Sequence, residues 1–212
     1  MLRHLLFDFD GTLIDSSEGI LASFEMALQR RGMPAVVSID KSLIGPPLLD
    51  TLRKISGVED ASKIDCLAQA FKDAYDTEGY RKTVAYPGIA PALKELRGKG
   101  ITLYIVTNKR MVPTSLILAH LGWDALFESI FTLDSAAMPA SSKVELIAQI
   151  LLSTGIRPEQ ALMVGDTPED GRAAFNNGLG FAIALWGYGR FDDVAPSNAR
   201  RLRVPAEIAL LA

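Results

Sequence analysis

From residue 89 to residue 185 stretches of helical period alternate with short apolar runs of strand length, and this alternation limits the possible folds more than any other feature of the chain. The pattern predicts helix 89–97, strand 101–106, helix 112–121, strand 129–132, helix 143–152, strand 161–164, helix 168–177 and strand 181–185. Units of this kind bury a parallel sheet between helices, and right-handed crossovers make the sheet doubly wound. One more buried strand, 5–9, stands far upstream and ends at Asp8-Phe9-Asp10-Gly11-Thr12, where Gly11 permits a sharp turn.

Between that first strand and the Pro87-Gly88 boundary the period is helical. Ile20, Leu21, Phe24, Ala27 and Leu28 form one apolar face of a helix over 15–31, which Asp15 or Ser16 can cap and Gly32 ends. Further helical patterns cover 48–55 and 62–75, and no convincing strand lies between residues 33 and 82. The expected architecture is therefore an α/β core of residues 1–14 and 84–212, with a helical cap domain, 15–83, inserted after the first strand.

Composition removes several functional classes. The 212 residues are 49% hydrophobic and 22% charged, which favours an ordered globule. A formal charge of −3 provides no general attraction to a nucleic acid polymer. The single cysteine, Cys66, rules out an intrachain disulfide and a thiolate metal cluster, and its expected place is in a core. The N-terminal apolar run is broken by Asp8 and Asp10, unlike a signal peptide, and no stretch of 18 apolar residues suggests a membrane span. A cytoplasmic protein, monomeric or homodimeric, is the expectation.

In open α/β sheets ligands bind outside the carboxyl ends of the strands, so the polar residues there deserve inspection. Asp8 and Asp10 follow the first strand, Thr107-Asn108 the second, Lys143 opens the helix after the third, and Gly165-Asp166-Thr167-Pro168-Glu169-Asp170 follows the fourth. Gathered together, Asp8, Asp10, Asp166 and Asp170 would repel one another and raise each other's pKa, and a hard cation such as Mg²⁺ is the obvious remedy. Asp8 and Asp10 suit a nucleophile and its acid/base partner. Thr107, backbone amides near Asn108 and the Lys143 ammonium can hold phosphoryl oxygens.

Taken singly, each of these residues has a plainer reading. Aspartates are common in turns, Asp166 and Asp170 can cap the helix after them, and Thr107 is an ordinary strand-end residue. Lys143 is less easily dismissed, because its charge opposes the dipole at a helix start. Gly45-Pro46-Pro47 is as readily a rigid turn as a substrate-reading loop.

In this order the residues resemble the haloacid dehalogenase superfamily. Asp8-Phe9-Asp10-Gly11-Thr12-Leu13-Ile14-Asp15 is similar to its first motif, Thr107 to the second, Lys143 to the third and Gly165–Asp170 to the fourth. Val144 follows Lys143 where a proline is often found. The resemblance implies a phosphatase with Asp8 as nucleophile, Asp10 as general acid/base, Thr107 and Lys143 as phosphate-positioning groups, and Mg²⁺ held by Asp8, the Asp10 carbonyl and Asp166, with Asp170 in an outer shell. Ile44-Gly45-Pro46-Pro47-Leu48 and Trp186-Gly187-Tyr188-Gly189 look like the phosphoglycolate phosphatase-like branch. That branch implies a small phosphomonoester as substrate, with Asn108 and Gly45 among the groups that bind it. A β-phosphoglucomutase-like phosphotransferase, a non-catalytic module of the same fold and a dehalogenase are the alternatives; Asp10 speaks against the last.

Overall fold

The computed structural model describes residues 1–189, 191 and 199–212. Its strands are β1 (His4–Phe7), β2 (Ile14–Asp15), β3 (Val84–Ala85), β4 (Thr102–Thr107), β5 (Ser129–Thr132), β6 (Ala161–Gly165), β7 (Gly180–Ala184) and β8 (Arg200–Leu202). Its α-helices are α1 (Ser17–Arg30), α2 (Leu48–Ser56), α3 (Ala61–Thr77), α4 (Ile89–Gly98), α5 (Met111–Leu121), α6 (Lys143–Thr154) and α7 (Pro168–Asn176). The chain divides into two compact units, Met1–Asp15 with Ala85–Ala212, and Ser16–Val84.

The first unit is built on one six-stranded sheet in the order β5-β4-β1-β6-β7-β8, with every pair parallel. Its register explains the packing. Leu6 lies opposite Tyr104 on one side and Met163 on the other, and Met163 lies opposite Phe181. These four residues join Leu146, Ile147 and Ile150 of α6 and Ala173 and Ala174 of α7 in one buried layer. Phe7, Ile105, Val164 and Ala182, one residue further along, are paired in the same way and point to the opposite face, as the two-residue period of a strand requires. All four are buried, which gives continuous apolar strands rather than alternating ones.

This is the doubly wound parallel sheet that the alternating pattern predicts. The strand order reverses at β1, because the chain runs outward through β4 and β5 and then returns to β6 on the other side. That reversal places a crevice at the carboxyl end of β1. One strand of this sheet was invisible to the pattern, as were the two-residue strands β2 and β3 outside it. β8 reads Arg200-Arg201-Leu202, with only Leu202 buried, and an edge strand tolerates such charge because half of its surface meets water.

The second unit contains α1, α2 and α3 around its own core. Phe24, Ala27 and Leu28 of α1 meet Leu52 and Ile55 of α2 and Ile64, Leu67, Phe71 and Tyr75 of α3. Phe71 stacks on Phe24 at 4.7 Å and on Tyr75 at 5.7 Å between ring centroids. Cys66 corrects the expectation of a buried thiol: it is exposed, because Ile64, Leu67, Ala68 and Phe71 occupy the inner face of α3 and residue 66 falls outside that stripe. Among the described residues no helix is long and apolar enough to cross a membrane.

Candidate active site

Asp8 comes directly after β1, and its amide donates to Val164 O of β6 at 2.9 Å, which extends the strand pairing into the crevice. The chain then turns on Gly11, whose φ of 83° favours glycine and where a Cβ would collide with the Asp166 carboxylate. Lys143 is the first residue of α6, because Ser142 caps that helix by accepting from Glu145 N. A buried ammonium therefore sits where the helix dipole would exclude it, unless anions compensate.

They do so closely. Lys143 Nζ donates to Asp8 Oδ1 at 2.7 Å and to Asp170 Oδ1 at 2.5 Å, and all three residues are buried. Burial works to lower the Lys143 pKa, but Asp170 and Asp8 outweigh it and hold the ammonium charged. Burial also pushes the Asp8 carboxyl well up; Lys143 opposes that rise, and Asp170 and Asp166 add to it. The other oxygen of Asp170 is taken by its own helix: Thr167 N donates to it at 3.0 Å and Thr167 Oγ1 at 2.6 Å, completing a capping box at the start of α7.

Asp166, just past β6, is held differently. Its Oδ1 accepts from Thr12 Oγ1 at 3.0 Å, and its Oδ2 accepts from the amides of Tyr188 at 2.8 Å and Gly189 at 3.2 Å. Burial, reinforced by Asp170, raises its pKa to about 6 against these three donors. Oxygens of Asp8, Asp166 and Asp170 lie within 4.8 Å of one another. Three buried carboxylates against one ammonium leave an excess of negative charge in a dry site, and an all-oxygen donor set of this kind can hold a hard divalent cation.

Residues 5–184 match the family profile described as haloacid dehalogenase-like hydrolase. The chain belongs to that family. A phosphoglycolate phosphatase of Psychrobacter arcticus is 33% identical over 92% of this chain and 88% of its own length. The tyrosine-protein kinase PtkA of Mycobacterium tuberculosis is 34% identical over 89% of this chain, which spans 64% of that relative. A haloacid dehalogenase-like hydrolase from Streptococcus pneumoniae superposes with a TM-score of 0.84 at 27% identity, covering 99% of this chain and 97% of its own. Together with the fold, these relatives place the chain on the phosphoglycolate phosphatase-like branch of the haloacid dehalogenase-like hydrolases.

Among the residues singled out in the sequence, Asp8, Lys143, Asp166 and Asp170 form one cluster. Asp10, two residues on, pairs with Lys109 instead, whose Nζ donates to its two oxygens at 2.9 and 3.1 Å. Thr107 ends β4, buried, and its Oγ1 accepts from Lys109 N at 3.1 Å. Asn108 Nδ2 donates to Glu169 Oε2 at 3.3 Å, while its Oδ1 is buried with no partner among the described atoms. Gly45 belongs to the helical unit, in an exposed turn with a φ of 117°.

Sequence reasoning passed over four residues that haloacid dehalogenase-like chemistry would feel here. Lys109, the one lysine besides Lys143 between the second and fourth motifs, grips Asp10. Thr12 lies inside the first motif, and its hydroxyl reaches Asp166 across 154 residues. Trp186 and Tyr188 stood beside glycines with no role attached. Trp186 Nε1 donates to Thr12 O at 3.0 Å, and the Tyr188 amide supports Asp166. The spacing of small residues was the available signal: a Cβ at Gly187 or Gly189 would collide with Asp166.

Proposed function

We propose that the protein is a Mg²⁺-dependent phosphatase that hydrolyses a small phosphomonoester through a phosphoaspartate on Asp8. The observation that carries this reading is the bridge from Lys143 to Asp8 and Asp170, beside Asp166, at the sheet's point of reversal. A carboxylate there is fixed in position and faces a permanent positive charge, as an attacking group for an anionic ester must.

In this reading one Asp8 oxygen attacks phosphorus as the ester P–O bond breaks, and Asp10 gives its proton to the leaving alkoxide. Asp10 then takes a proton from the water that cleaves the aspartyl phosphate, which frees inorganic phosphate and restores Asp8. Lys143, Thr107 and the amides near Asn108 orient the phosphoryl oxygens. Asp8, the Asp10 carbonyl and Asp166 would hold Mg²⁺, with Asp170 in its outer shell. The cation, when bound, neutralises phosphoryl charge. Lys109 keeps Asp10 in place, and the inserted helical unit serves as the cap, with Gly45 among the residues that read the substrate.

The test is phosphate release from a panel of small esters, including phosphoglycolate, sugar phosphates, nucleoside monophosphates and pyrophosphate, with Mg²⁺ and with chelator. Release that needs Mg²⁺ and disappears in folded Asp8→Asn supports the reading. Full activity in that variant sinks it.

A second reading has its own support. The likeness to a tyrosine-protein kinase, at 34% identity over 89% of this chain, favours an aspartyl phosphate passed to a hydroxyl other than that of water. Product analysis separates the two: free phosphate in one case, a new phosphoester in the other.

A further inference from the structure

Tyr188 does more than lend its amide to Asp166. Its hydroxyl donates to Asp15 Oδ1 at 2.8 Å. The Tyr86 ring meets Trp186 edge-on at 6.4 Å, and Trp186 Nε1 holds the carbonyl of Thr12, whose side chain reaches Asp166. The loop 186–189 thus holds Asp166 twice, directly through two amides and indirectly through Thr12.

The far anchors of this network are informative. Asp15 is the last residue of the α/β unit before the chain leaves it, and Tyr86 stands one residue beyond its return at Ala85. Both points of passage are thereby tied to the carboxylate proposed as a metal ligand. Glycine at 187 and 189 lets the loop backbone press against Asp166, so a displacement of the Tyr188 ring is transmitted to the two amides rather than absorbed by a gap.

We infer that the Tyr188 hydroxyl, anchored on Asp15, is a positioning group for the metal: it fixes the loop whose amides aim the Asp166 carboxylate. This rests on the proposed role of Asp166 in holding Mg²⁺. Groups that orient a metal ligand without touching the ion commonly change affinity by about 10- to 100-fold when removed. Tyr188→Phe deletes one oxygen and keeps the ring, so it probes the anchor alone.

The experiment is calorimetric titration of the full chain with Mg²⁺ alone, together with thermal unfolding in chelator. Tyr188→Phe is expected to weaken Mg²⁺ binding by about tenfold. Asp15→Ala should do the same, Asp15→Asn should recover binding because its carbonyl still accepts, and Tyr188→Phe with Asp15→Ala should be no worse than either alone. A merely structural role would lower the unfolding midpoint and leave the Mg²⁺ affinity untouched. Wild-type affinity in Tyr188→Phe overturns the inference; should that variant not fold, wild-type affinity in Asp15→Ala does so. Asp166→Asn separates the two readings: if it also binds Mg²⁺ normally, the proposed metal site falls along with the inference, and if it alone is weakened, the metal site stands and only the inference is lost.

Discussion

Two carboxylates a few ångströms apart at the mouth of the crevice are held in opposite ways. Asp8 shares the Lys143 ammonium with Asp170, whereas Asp166 accepts only from neutral donors among the described residues: one hydroxyl and two amides. An ammonium supplies a full charge within the site; amides and hydroxyls orient a carboxylate without cancelling it. The Asp8 side therefore has a full counter-charge, shared with Asp170, built in as it folds, and the Asp166 side has geometry only. Such a division suits a site in which Asp8 must be aimed as a nucleophile while the uncancelled negative charge still attracts a cation.

The largest expected effect falls on the Asp8 side. Asp8→Asn removes the attacking oxygen, and turnover should drop by on the order of 10⁴-fold or more, measured as phosphate release from the best ester of the panel. A smaller loss would mean that Asp8 positions substrate rather than reacting with it, and the contrast between the two carboxylates would lose its chemical meaning.

Next comes the ammonium. Lys143→Met preserves the length of the stem but leaves two buried carboxylates without their cation, which should cost about 3 to 5 kcal/mol in a denaturation series in chelator. Adding Asp170→Asn should return part of that loss, because one of the abandoned charges is then gone. If Lys143→Met costs nothing, charge is balanced in some other way and the two sides of the site are alike.

The third prediction concerns the uncompensated side. Asp166→Asn should weaken Mg²⁺ binding by more than the roughly tenfold expected from Tyr188→Phe, because it removes a charged ligand rather than its support. In chelator the same change should stabilise the fold, since a carboxyl pushed up to about 6 from its usual 3.8 is one that the fold holds charged at a cost. The sign for the wild type is fixed by that rise. Folding favours the protonated acid, so the metal-free protein should be most stable below about pH 4 with respect to this group, and should lose that increment as pH climbs through 6. Thermal unfolding with and without Mg²⁺ at pH 5 and pH 7.5 checks it: stabilisation by the cation should be larger at pH 7.5. Equal stabilisation at both values would argue against Asp166 as a ligand.

The uneven legibility of the sequence follows the same division. Apolar runs and helical periods are local, so the alternation disclosed the doubly wound sheet and the strand ends that carry Asp8, Thr107 and Asp166. Lys143 betrayed itself by a local misfit, a cation at a helix start. The groups that hold Asp166 left no such mark. Trp186 meets Thr12 across 174 residues and Tyr188 meets Asp166 across 22, and contacts of that kind depend on how a loop folds back, which no short-range period encodes. β8 escaped because charged side chains on an edge strand look like any exposed loop, and Cys66 was misplaced because residue type alone does not fix a helix face.

The smallest of the four effects should come from Lys109, and it sharpens the comparison because Lys109 resembles Lys143 in chemistry but not in setting. Its Nζ holds both oxygens of Asp10, yet the Asp10 side chain keeps 18% of its surface open against 9% for Asp8. Water can replace part of what is lost there, so Lys109→Ala should cost less stability than Lys143→Met. Its effect belongs in the rate. Asp10 loses the partner that fixes its orientation, and kcat should fall by about 10- to 100-fold with KM changed much less, as expected when acid/base assistance is impaired and binding is not. Lys109→Arg should recover part of the rate, because a guanidinium can still grip both oxygens. An equal fall in kcat and in stability would instead make Lys109 a second Lys143, and both acids of the first motif would then depend on buried ammonium groups for the fold itself.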